Sequence, residues 1–385
     1  MRRNNLVWFC VAGLLMHLSC IRPFDPEILA EDERKYVVSG DVILGDEIQR
    51  VNISITSPIE APEYIPVEGC EVTISDNQGN TFSMEDKGNG DYETVMAPEY
   101  LVPGHAYRLE VLTPAGDRIM SAYDTLKTGP EVDTVYYFRE DLETNNPDVY
   151  TLGIQFYVDL HAQEGQSHFY RWEPVETWEY HADYPKEWYY DGEVHHIFPP
   201  DSSRMVCWST QSLPNIYTLT TDHLVENQYE RIPLHYVNNL TSRLAYGYSL
   251  LIRQYALSEA AYVYWDQLRI NSDREGGLYE KQPLAIRGNM QCVNKPEQDV
   301  LGFFSAASVS EKRIFVDPIP DLPLYFTTYC DYVDLRTGLH EIPPAWYPAY
   351  LYGNEFGYSY RVIFIECVDC TILGGVHIKP AFWPH

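Results

Sequence analysis

Short segments in which apolar and polar residues alternate, separated by glycine-containing turns, set the fold class of the first third of this chain. Val51, Ile53 and Ile55 alternate with polar residues, and a two-residue period places one side of a strand in a core and the other in water. Similar segments lie at 36–44, 70–75, 92–96, 106–112 and 119–125, with glycine turns at 77–79, 88–90 and 114–116 between them. Residues 36–128 are therefore predicted to form an all-β sandwich.

The longer region at 129–385 is also predicted to be rich in strands. Candidate strands lie at 132–138, 150–160, 167–177, 243–255, 300–309, 313–316 and 358–366. One helix is indicated after Ser258, a capping residue, because Glu259 falls in the first turn and Ala261, Tyr262 and Trp265 recur at helical spacing. A length of 385 residues suits two domains. The fold class predicted is mainly β, with a sandwich followed by a larger β-rich domain that contains one clear helix.

The beginning of the chain has the features of a secretory signal. Arg2 and Arg3 precede an almost wholly apolar run at 6–18, and Ser19 stands before Cys20. As a helix the run would be roughly 20 Å long, too short for a hydrocarbon core of roughly 30 Å. The stretch resembles a bacterial lipoprotein signal, which implies cleavage of a signal peptide at 1–19, acylation of Cys20 and a tether at 20–35. A plain secretory signal with an incidental Cys20 is the alternative.

The charge of the chain excludes some partners. The net charge is −29, from 27 basic and 56 acidic residues. Such a protein is repelled by nucleic-acid phosphates and by anionic lipid headgroups. No nucleic acid is expected to bind, and attachment to a membrane is expected to depend on the lipid at Cys20.

Six cysteines follow Cys20, and an exported chain meets an oxidising compartment in which cysteines pair. They are Cys70, Cys207, Cys292, Cys330, Cys367 and Cys370. Because the last five lie in the second domain, we predict two disulfides there, with Cys367 or Cys370 in at least one. Cys70 and one other cysteine would remain buried thiols, unless Cys70 bridges the domains. A second cysteine pair at zinc spacing is missing, so no metal or cofactor is predicted.

The segment from Trp178 to Ser203 has no steady period and is predicted to be a long loop, where binding residues often gather. Its aromatic side chains are candidates for ligand contact, with packing against the domain as the alternative. The candidates are Trp178, Tyr180, Tyr184, Trp188, Tyr189 and Tyr190. A second aromatic cluster at 346–360 has the same two interpretations.

Residues at the spacing of a known catalytic site are not found in the sequence. The Gly-x-Ser-x-Gly turn of serine hydrolases is missing. His195 and His196 are adjacent, so on a strand they point to opposite faces and at most one would reach a shared ion. With 56 acidic residues, any carboxylate pair is uninformative. We therefore predict no catalytic residues.

Part of the first domain is similar to a known module. The stretches that carry the similarity are 67–72, 76–79, 90–92 and 103–107. They resemble the carboxypeptidase-regulatory type of immunoglobulin-like sandwich. This resemblance implies a structural or spacing domain without catalytic residues.

Further motifs are spread over nearly the whole chain. They are Cys20-x-x-Pro23-Phe24, Tyr64 to Val67, Cys207-Trp208, Tyr255 to Ser258 with Tyr262 and Trp265, Arg287-Gly288-Asn289, Leu301 to Ser308, Cys367-x-x-Cys370 with Gly374-Gly375, and Lys379-Pro380-x-Phe382-Trp383. Together they resemble a Bacteroidota lipoprotein family known as the domain of unknown function 4249. The resemblance implies a lipid-anchored outer-membrane accessory or binding protein that partners a TonB-dependent transporter.

The side of the outer membrane on which the protein lies is predicted from the residues after Cys20. Asp25 and Glu27 favour the cell surface, where acidic residues at this position often direct lipoproteins of this group. Two alternative functions remain open. One is a structural adhesion or assembly module, and the other is a secreted enzyme acting on glycans or peptides.

Overall fold

The regular structure consists of strands and one α-helix among the residues described. The computed structural model describes residues 34–58, 61–143, 150–272, 286–326, 330–354 and 356–384. The predicted signal peptide and Cys20 lie outside these residues. Within them the chain is mainly β, which confirms the predicted fold class. No helix in these segments is long and apolar enough to cross a membrane.

The elements are numbered in chain order. The strands are β1 (Tyr36–Leu44), β2 (Ile48–Ile55), β3 (Ile65–Pro66), β4 (Glu71–Asp76), β5 (Thr81–Ser83), β6 (Glu85–Gly88), β7 (Asp91–Val95), β8 (Ala106–Leu112), β9 (Arg118–Ser121), β10 (Asp124–Thr125), β11 (Val135–Glu143), β12 (Tyr150–His161), β13 (Phe169–His181), β14 (Lys186–Tyr190), β15 (Val194–Asp201), β16 (Val206–Ser212), β17 (Tyr217–Thr220), β18 (Gln228–Asn238), β19 (Gly247–Ala256), β20 (Met290–Cys292), β21 (Val300–Leu301), β22 (Phe304–Val316), β23 (Tyr332–Asp334), β24 (Ala349–Asn354) and β25 (Gly357–Ile363).

The α-helix is α1 (Glu259–Ser272). Short 3₁₀ helices lie at Pro98–Tyr100, Ser242–Leu244, Leu339–Glu341, Pro344–Trp346, Ile365–Cys367 and Cys370–Leu373.

One long sheet runs through both predicted domains. Its strands follow the order β16-β13-β19-β22-β1-β2-β7-β6. The two halves join where β1 pairs in parallel with β22, with Gly40 opposite Phe304, whereas the other neighbours along this path are antiparallel. The sheet therefore crosses the predicted boundary after residue 128. Alternation along a strand predicts which face is buried, but it does not predict which strand lies beside it.

The apolar face of the long sheet is covered by two smaller sheets, which creates two cores. The first cover sheet has the order β20-β9-β8-β4-β5, and the second has the order β11-β12-β18. In the first core Val38 and Ile53 pack with Ile74 and Leu109, and residues 290–306 also contribute. The first sandwich is thus not confined to residues 36–128. The second core centres on Trp172, which packs against side chains of the second cover sheet.

The opposite face of the long sheet carries charged side chains, and α1 packs across part of it. The helix begins as predicted, because the backbone N–H of Ala261 donates to Ser258 Oγ over 3.1 Å. Ala261 and Tyr262 pack on a small cluster that contains Tyr255 and Phe303. Gly276 and Gly277, at which the sequence predicts that the helix has ended, lie outside the described residues.

A further sheet, which we call the aromatic sheet, has the order β15-β14-β24-β25-β23. It corrects the prediction of a loop at 178–203, since these residues complete β13 and then form β14 and β15. Apolar clusters lie on both of its faces: Leu351 and Val362 belong to one, Ile363 and Val368 to the other. The side chains of β14 are all partly exposed and those of β15 are partly exposed or exposed, so neither strand shows the alternation of buried and exposed positions that predicts a strand.

Two disulfides lie in the second half of the chain. Cys207 pairs with Cys370, and Cys330 pairs with Cys367, with Cα atoms 5.8 Å and 4.7 Å apart. The disulfide candidate Cys292 is a buried thiol instead. The reason is topological, because β20 carries Cys292 into the core of the first sandwich, where Cys70 is also buried.

Candidate functional site

A cleft of about 500 Å³, which we call the main cleft, opens on the charged face of the long sheet, beside α1. Seven strands of that sheet and the helix contribute to its walls. The lining residues are Ser39, Gly40, Asp41, Arg50, Val51, Asn52, Lys87, Asp91, Tyr92, Glu93, Arg171, Glu173, Tyr255, Trp265, Phe303 and Ser305. Its volume lies within the range of small-molecule sites.

Arg171 is the central cation of this cleft. It lies on β13 opposite Tyr255 of β19, and its guanidinium carbon is 4.1 Å from the ring centres of both Tyr255 and Trp265. The side chain is 12% exposed, and its Nε is buried with no hydrogen-bond partner. The nearest carboxylate oxygen, on Glu173, is 3.9 Å from Nη1, beyond hydrogen-bond range. A guanidinium held between two rings makes its hydrogen bonds through its N–H edge, and the Nε on this edge has no partner among the described residues.

Two carboxylates lie close to Arg171. Asp41 of β1 accepts a hydrogen bond from Ser305 Oγ, and Glu173 accepts one from the Tyr255 hydroxyl over 3.0 Å. Burial raises the pKa of the Asp41 carboxyl, and the charge of Arg171 and the Ser305 hydrogen bond oppose that rise. Burial also raises the pKa of Tyr255, so this hydroxyl remains a donor to Glu173.

Most of the other polar groups that line the cleft already have hydrogen-bond partners. Arg50 Nε donates to Glu93 over 2.9 Å, and Asn52 Nδ2 donates to Asp91 over 2.7 Å. Lys87 Nζ donates to Glu85, outside the lining, over 2.6 Å. Arg171, Asp41 and Glu173, which lie close together, can still form hydrogen bonds with a ligand.

The cleft contains charged and polar groups that can hydrogen-bond a ligand. Donors and acceptors converge on the cleft, yet no histidine or cysteine is among the residues that line it. Ser305 donates to Asp41 without an imidazole between them. Across the described segments, no group of three or more His, Cys, Asp or Glu residues is placed to hold a metal ion. The geometry thus favours binding of a ligand by charged groups.

Glu176 forms a second polar cluster, which is enclosed in the second core. Its side chain is 0% exposed. Arg243 Nη1 donates to both of its oxygens over 2.9 and 3.1 Å, and the hydroxyl of Tyr248 donates over 2.8 Å. Gln211 donates over 3.0 Å, and His235 Nε2 lies 3.3 Å away. Because Glu176 is enclosed, this cluster has a structural role in the core.

Three of the predicted ligand-binding residues lie in packed positions. Trp178 lies on β13 against the second core. Tyr180 is 6% exposed, and its hydroxyl donates to the carbonyl of Cys370 over 2.9 Å. Tyr184 meets Tyr352 edge to face at 5.2 Å. Their aromatic character serves packing in this part of the structure.

The other three candidates lie together on β14 of the aromatic sheet. Trp188 stacks on His196 at 3.9 Å, Tyr189 stacks on His195 at 4.6 Å, and Tyr190 meets Tyr347 edge to face at 5.4 Å. The two histidines stack on successive residues of β14, which fits the opposite faces expected of neighbours in a strand. Tyr189 also borders a shallower cleft of about 420 Å³.

The sequence prediction missed the residues of the main cleft, although a signal for them exists. Arg171 and Glu173 alternate with the buried Tyr170 and Trp172. Asp41 likewise lies on β1 between Val38 and Val42, whose side chains are fully buried. Charged side chains facing outward from central strands would have indicated a polar sheet face. Their convergence depends on the pairing of β1 with β22, which sequence alternation does not predict.

The relationship of this chain to known proteins agrees with the resemblance in its motifs. A family model described as a domain of unknown function, DUF4249, matches residues 21–313. The chain belongs to the DUF4249 family. The DUF4249 match includes every residue that lines the main cleft, and it ends before β23, β24 and β25.

Comparisons outside the DUF4249 family add little. No curated protein matches this chain. Among solved structures, the crystal structure of trypsin-activated alpha-2-macroglobulin from Escherichia coli is similar over 59% of this chain, with 9% identity and a TM-score of 0.19. The matched part spans 15% of that protein, and at this score the similarity supports no inference about fold or function.

Proposed function

We propose that this DUF4249 protein is a lipid-anchored, non-catalytic binding subunit of the bacterial outer membrane that serves a TonB-dependent transporter. The observation that carries the proposal is the main cleft, in which Arg171 presents buried donors beside Asp41 and Glu173. A module with a purely structural role has no need for a buried, unpaired guanidinium edge, because such a group lowers stability unless a ligand satisfies it.

Export and anchoring are supported by the chain itself. The start of the sequence resembles a lipoprotein signal ending at Cys20. The two disulfides fit an oxidising compartment outside the cytoplasm. Because the net charge of −29 disfavours contact with anionic headgroups, the acyl chain on Cys20 would hold the protein at the membrane.

The transporter partner and the position at the cell surface rest on the resemblance and on Asp25 and Glu27 after Cys20. A protein anchored beside a transporter could hold a ligand close to its entrance, which raises the local concentration of that ligand. The cleft supplies a site of the size that such a ligand needs.

Co-purification tests this proposal. The tagged protein is extracted from its native membrane in mild detergent, and a TonB-dependent transporter is expected to accompany it. The matched control is Cys20→Ser, which removes the anchor and is expected to lose the transporter. Recovery of the wild-type chain alone at full yield would contradict the partnership. Resistance to protease added to intact cells would contradict the surface location.

A further inference from the structure

The groups that remain available in the main cleft are one cation and two carboxylates. Arg171 has a buried Nε without a partner, Asp41 accepts from Ser305, and Glu173 accepts from Tyr255. A ligand that complements this set needs one anionic group for the guanidinium and cationic donors for the carboxylates. A simple anion would meet two like charges close to Arg171, so an anion alone does not fit.

Sugars are the other common ligands of clefts with aromatic walls, but they need an open ring face. The rings here are not open in that way. Tyr92 is fully buried, Tyr255 is 9% exposed and Phe303 is 8% exposed. Arg171 covers one face of Trp265 at 4.1 Å. The aromatic residues therefore form the walls of the cleft and hold the guanidinium of Arg171 in place. The charged groups are the ones that would bind the ligand.

From this arrangement we infer that the main cleft binds an amino acid or short peptide that carries a free carboxylate and cationic groups, with lysine-containing peptides as the model. This inference names the ligand class of the cleft and therefore rests on the proposed binding function. The ligand carboxylate accepts from the N–H edge of Arg171 as a planar pair. Its ammonium groups lie against Asp41 and Glu173.

The volume and the charge of the protein agree with this ligand class. A cleft of about 500 Å³ accommodates a ligand of two or three residues. The surplus of acidic residues in the whole chain attracts cations towards the surface. Arg50 and Glu93 compensate each other's charge, whereas Asp91 has only the neutral amide of Asn52 as a partner, so its negative charge adds to the attraction for cationic groups.

Isothermal titration calorimetry on the purified full chain in mild detergent tests the assignment with four probes. These are lysyl-lysine, lysyl-lysine amide, fully N-acetylated lysyl-lysine and the neutral sugar maltotriose. We expect the wild type to bind lysyl-lysine, and we expect either chemical change to weaken binding at least tenfold. No binding of lysyl-lysine at millimolar concentration, or tighter binding of maltotriose, would overturn the inference.

Protein variants assign the contacts. In Arg171→Gln, lysyl-lysine should bind at least tenfold more weakly and amidation should have little further effect, because the carboxylate has already lost its partner. In Glu173→Gln, the effect of acetylation should shrink instead. The control Arg361→Gln changes an arginine paired with Asp334 in the aromatic sheet and should bind as the wild type does. An equal loss on amidation in wild type and Arg171→Gln would refute the role of Arg171.

Two safeguards keep the test decisive. If Arg171→Gln does not fold, as circular dichroism would show, the probe series on the wild type and Glu173→Gln still decide the outcome.

Loss of lysyl-lysine binding with the transporter still co-purifying would reject the ligand class and leave the proposed function intact. Binding of lysyl-lysine to a chain that purifies alone would reject the transporter partnership and leave the ligand class intact.

Discussion

Glu176 shows how a charged residue can be accommodated in an apolar core. Burial alone would raise its pKa, but the nearby side chains of His235, Arg243 and Tyr248 outweigh burial and hold the pKa of Glu176 below its usual value. The surrounding side chains thus stabilise the charged form of Glu176. Removing one partner of such a cluster leaves a buried charge without compensation, which is more harmful than the loss of an exposed ion pair.

The first prediction concerns that pairing. Arg243→Ala should lower the free energy of unfolding by about 3 kcal/mol, because Glu176 would remain buried without its main cation. The exposed pair partner Arg361 offers a control, since Arg361→Ala should change stability far less than Arg243→Ala does. Urea denaturation of both variants measures the difference. Equal losses in the two variants would show that the Glu176 cluster is not structural.

The second prediction is the pH dependence that the same residue causes. A carboxyl whose pKa is lower in the folded state contributes stability that is fully present above its unfolded pKa, near the ordinary value of 4.5. This contribution is lost as the pH falls through the folded pKa. Urea denaturation should therefore show a loss of stability below about pH 4.5 that is smaller in Glu176→Gln. An identical acid dependence in that variant would contradict the assignment.

For single residues, the sequence predicts the direction of a side chain better than it predicts whether the residue belongs to a site. Alternation correctly assigned Val51 and Ile53 to a core, and it would have placed Arg171 outside one. Whether an outward-facing charged residue becomes part of a site depends on residues that are far away in sequence. Asp41 and Ser305, for example, are hydrogen-bonded although 264 positions separate them. No local pattern contains that information, so the cleft appears only when the sheet is assembled.

Among the elements, the segments 286–289 and 301–304 hold each other through short contacts. Asn289 Nδ2 donates to the carbonyl of Phe304, and the N–H of Phe304 donates back to Asn289 Oδ1, over 2.8 and 2.9 Å. A Cβ on Gly288 would lie 1.5 Å from the carbonyl oxygen of Gly302. These contacts explain why glycine is needed at positions 288 and 302. They also bring β22 into place beside β1.

The third prediction tests this close approach. Gly302 has a φ of +100°, and a Cβ there would lie 2.0 Å from the carbonyl oxygen of Val38. Gly302→Ala should therefore abolish folding or destabilise the protein by several kcal/mol. Gly104→Ala is the matched control, because Gly104 also has a positive φ but nothing lies within 4 Å of its Cβ position, so only about 1 kcal/mol should be lost. Melting temperatures that fall equally would contradict this account.

The aromatic hairpin of β14 and β15 marks the limit of element prediction. The helix after Ser258 was found because its cap and its spacing are local signals. The sequence predicts a loop here because both faces of the hairpin carry aromatic side chains: Trp188 and Tyr190 lie in an apolar cluster on one face, while Tyr189 stacks on His195 on the other. All side chains of β14 are partly exposed, so no alternation marks the strand, and only its pairing partners distinguish it from an irregular aromatic segment.

For the molecule as a whole, one disulfide ties the last residues to the long sheet through Cys207 of β16, and the other joins two segments beside the aromatic sheet. The bond Cys207–Cys370 closes a separation of 163 residues, and Cys330–Cys367 closes one of 37. In the chain-entropy model these separations correspond to about 5 and about 4 kcal/mol of stabilisation. The bond Cys207–Cys370 joins a region that the DUF4249 match does not include to one that it does, whereas both cysteines of Cys330–Cys367 lie beyond the match.

The fourth prediction follows from this arrangement. Thiol titration of the denatured, unreduced protein with an acylated Cys20 and no signal peptide should find two reactive groups, Cys70 and Cys292. Neither should react before denaturation, since both side chains are buried in the first core. Six reactive groups would exclude the disulfides. A count of zero would mean that Cys70 and Cys292 are joined as well.

The last prediction concerns how the whole molecule is held at the membrane. The lipoprotein-like start of the chain predicts that an acyl chain on Cys20 attaches this acidic protein to the membrane. Cys20→Ser should prevent incorporation of labelled palmitate and leave the signal peptide uncleaved, which increases the measured mass by that of residues 1–19. Cys10→Ser is the control within the signal and should be labelled and cleaved normally. Palmitate labelling of Cys20→Ser at the wild-type level would show that the anchor lies elsewhere.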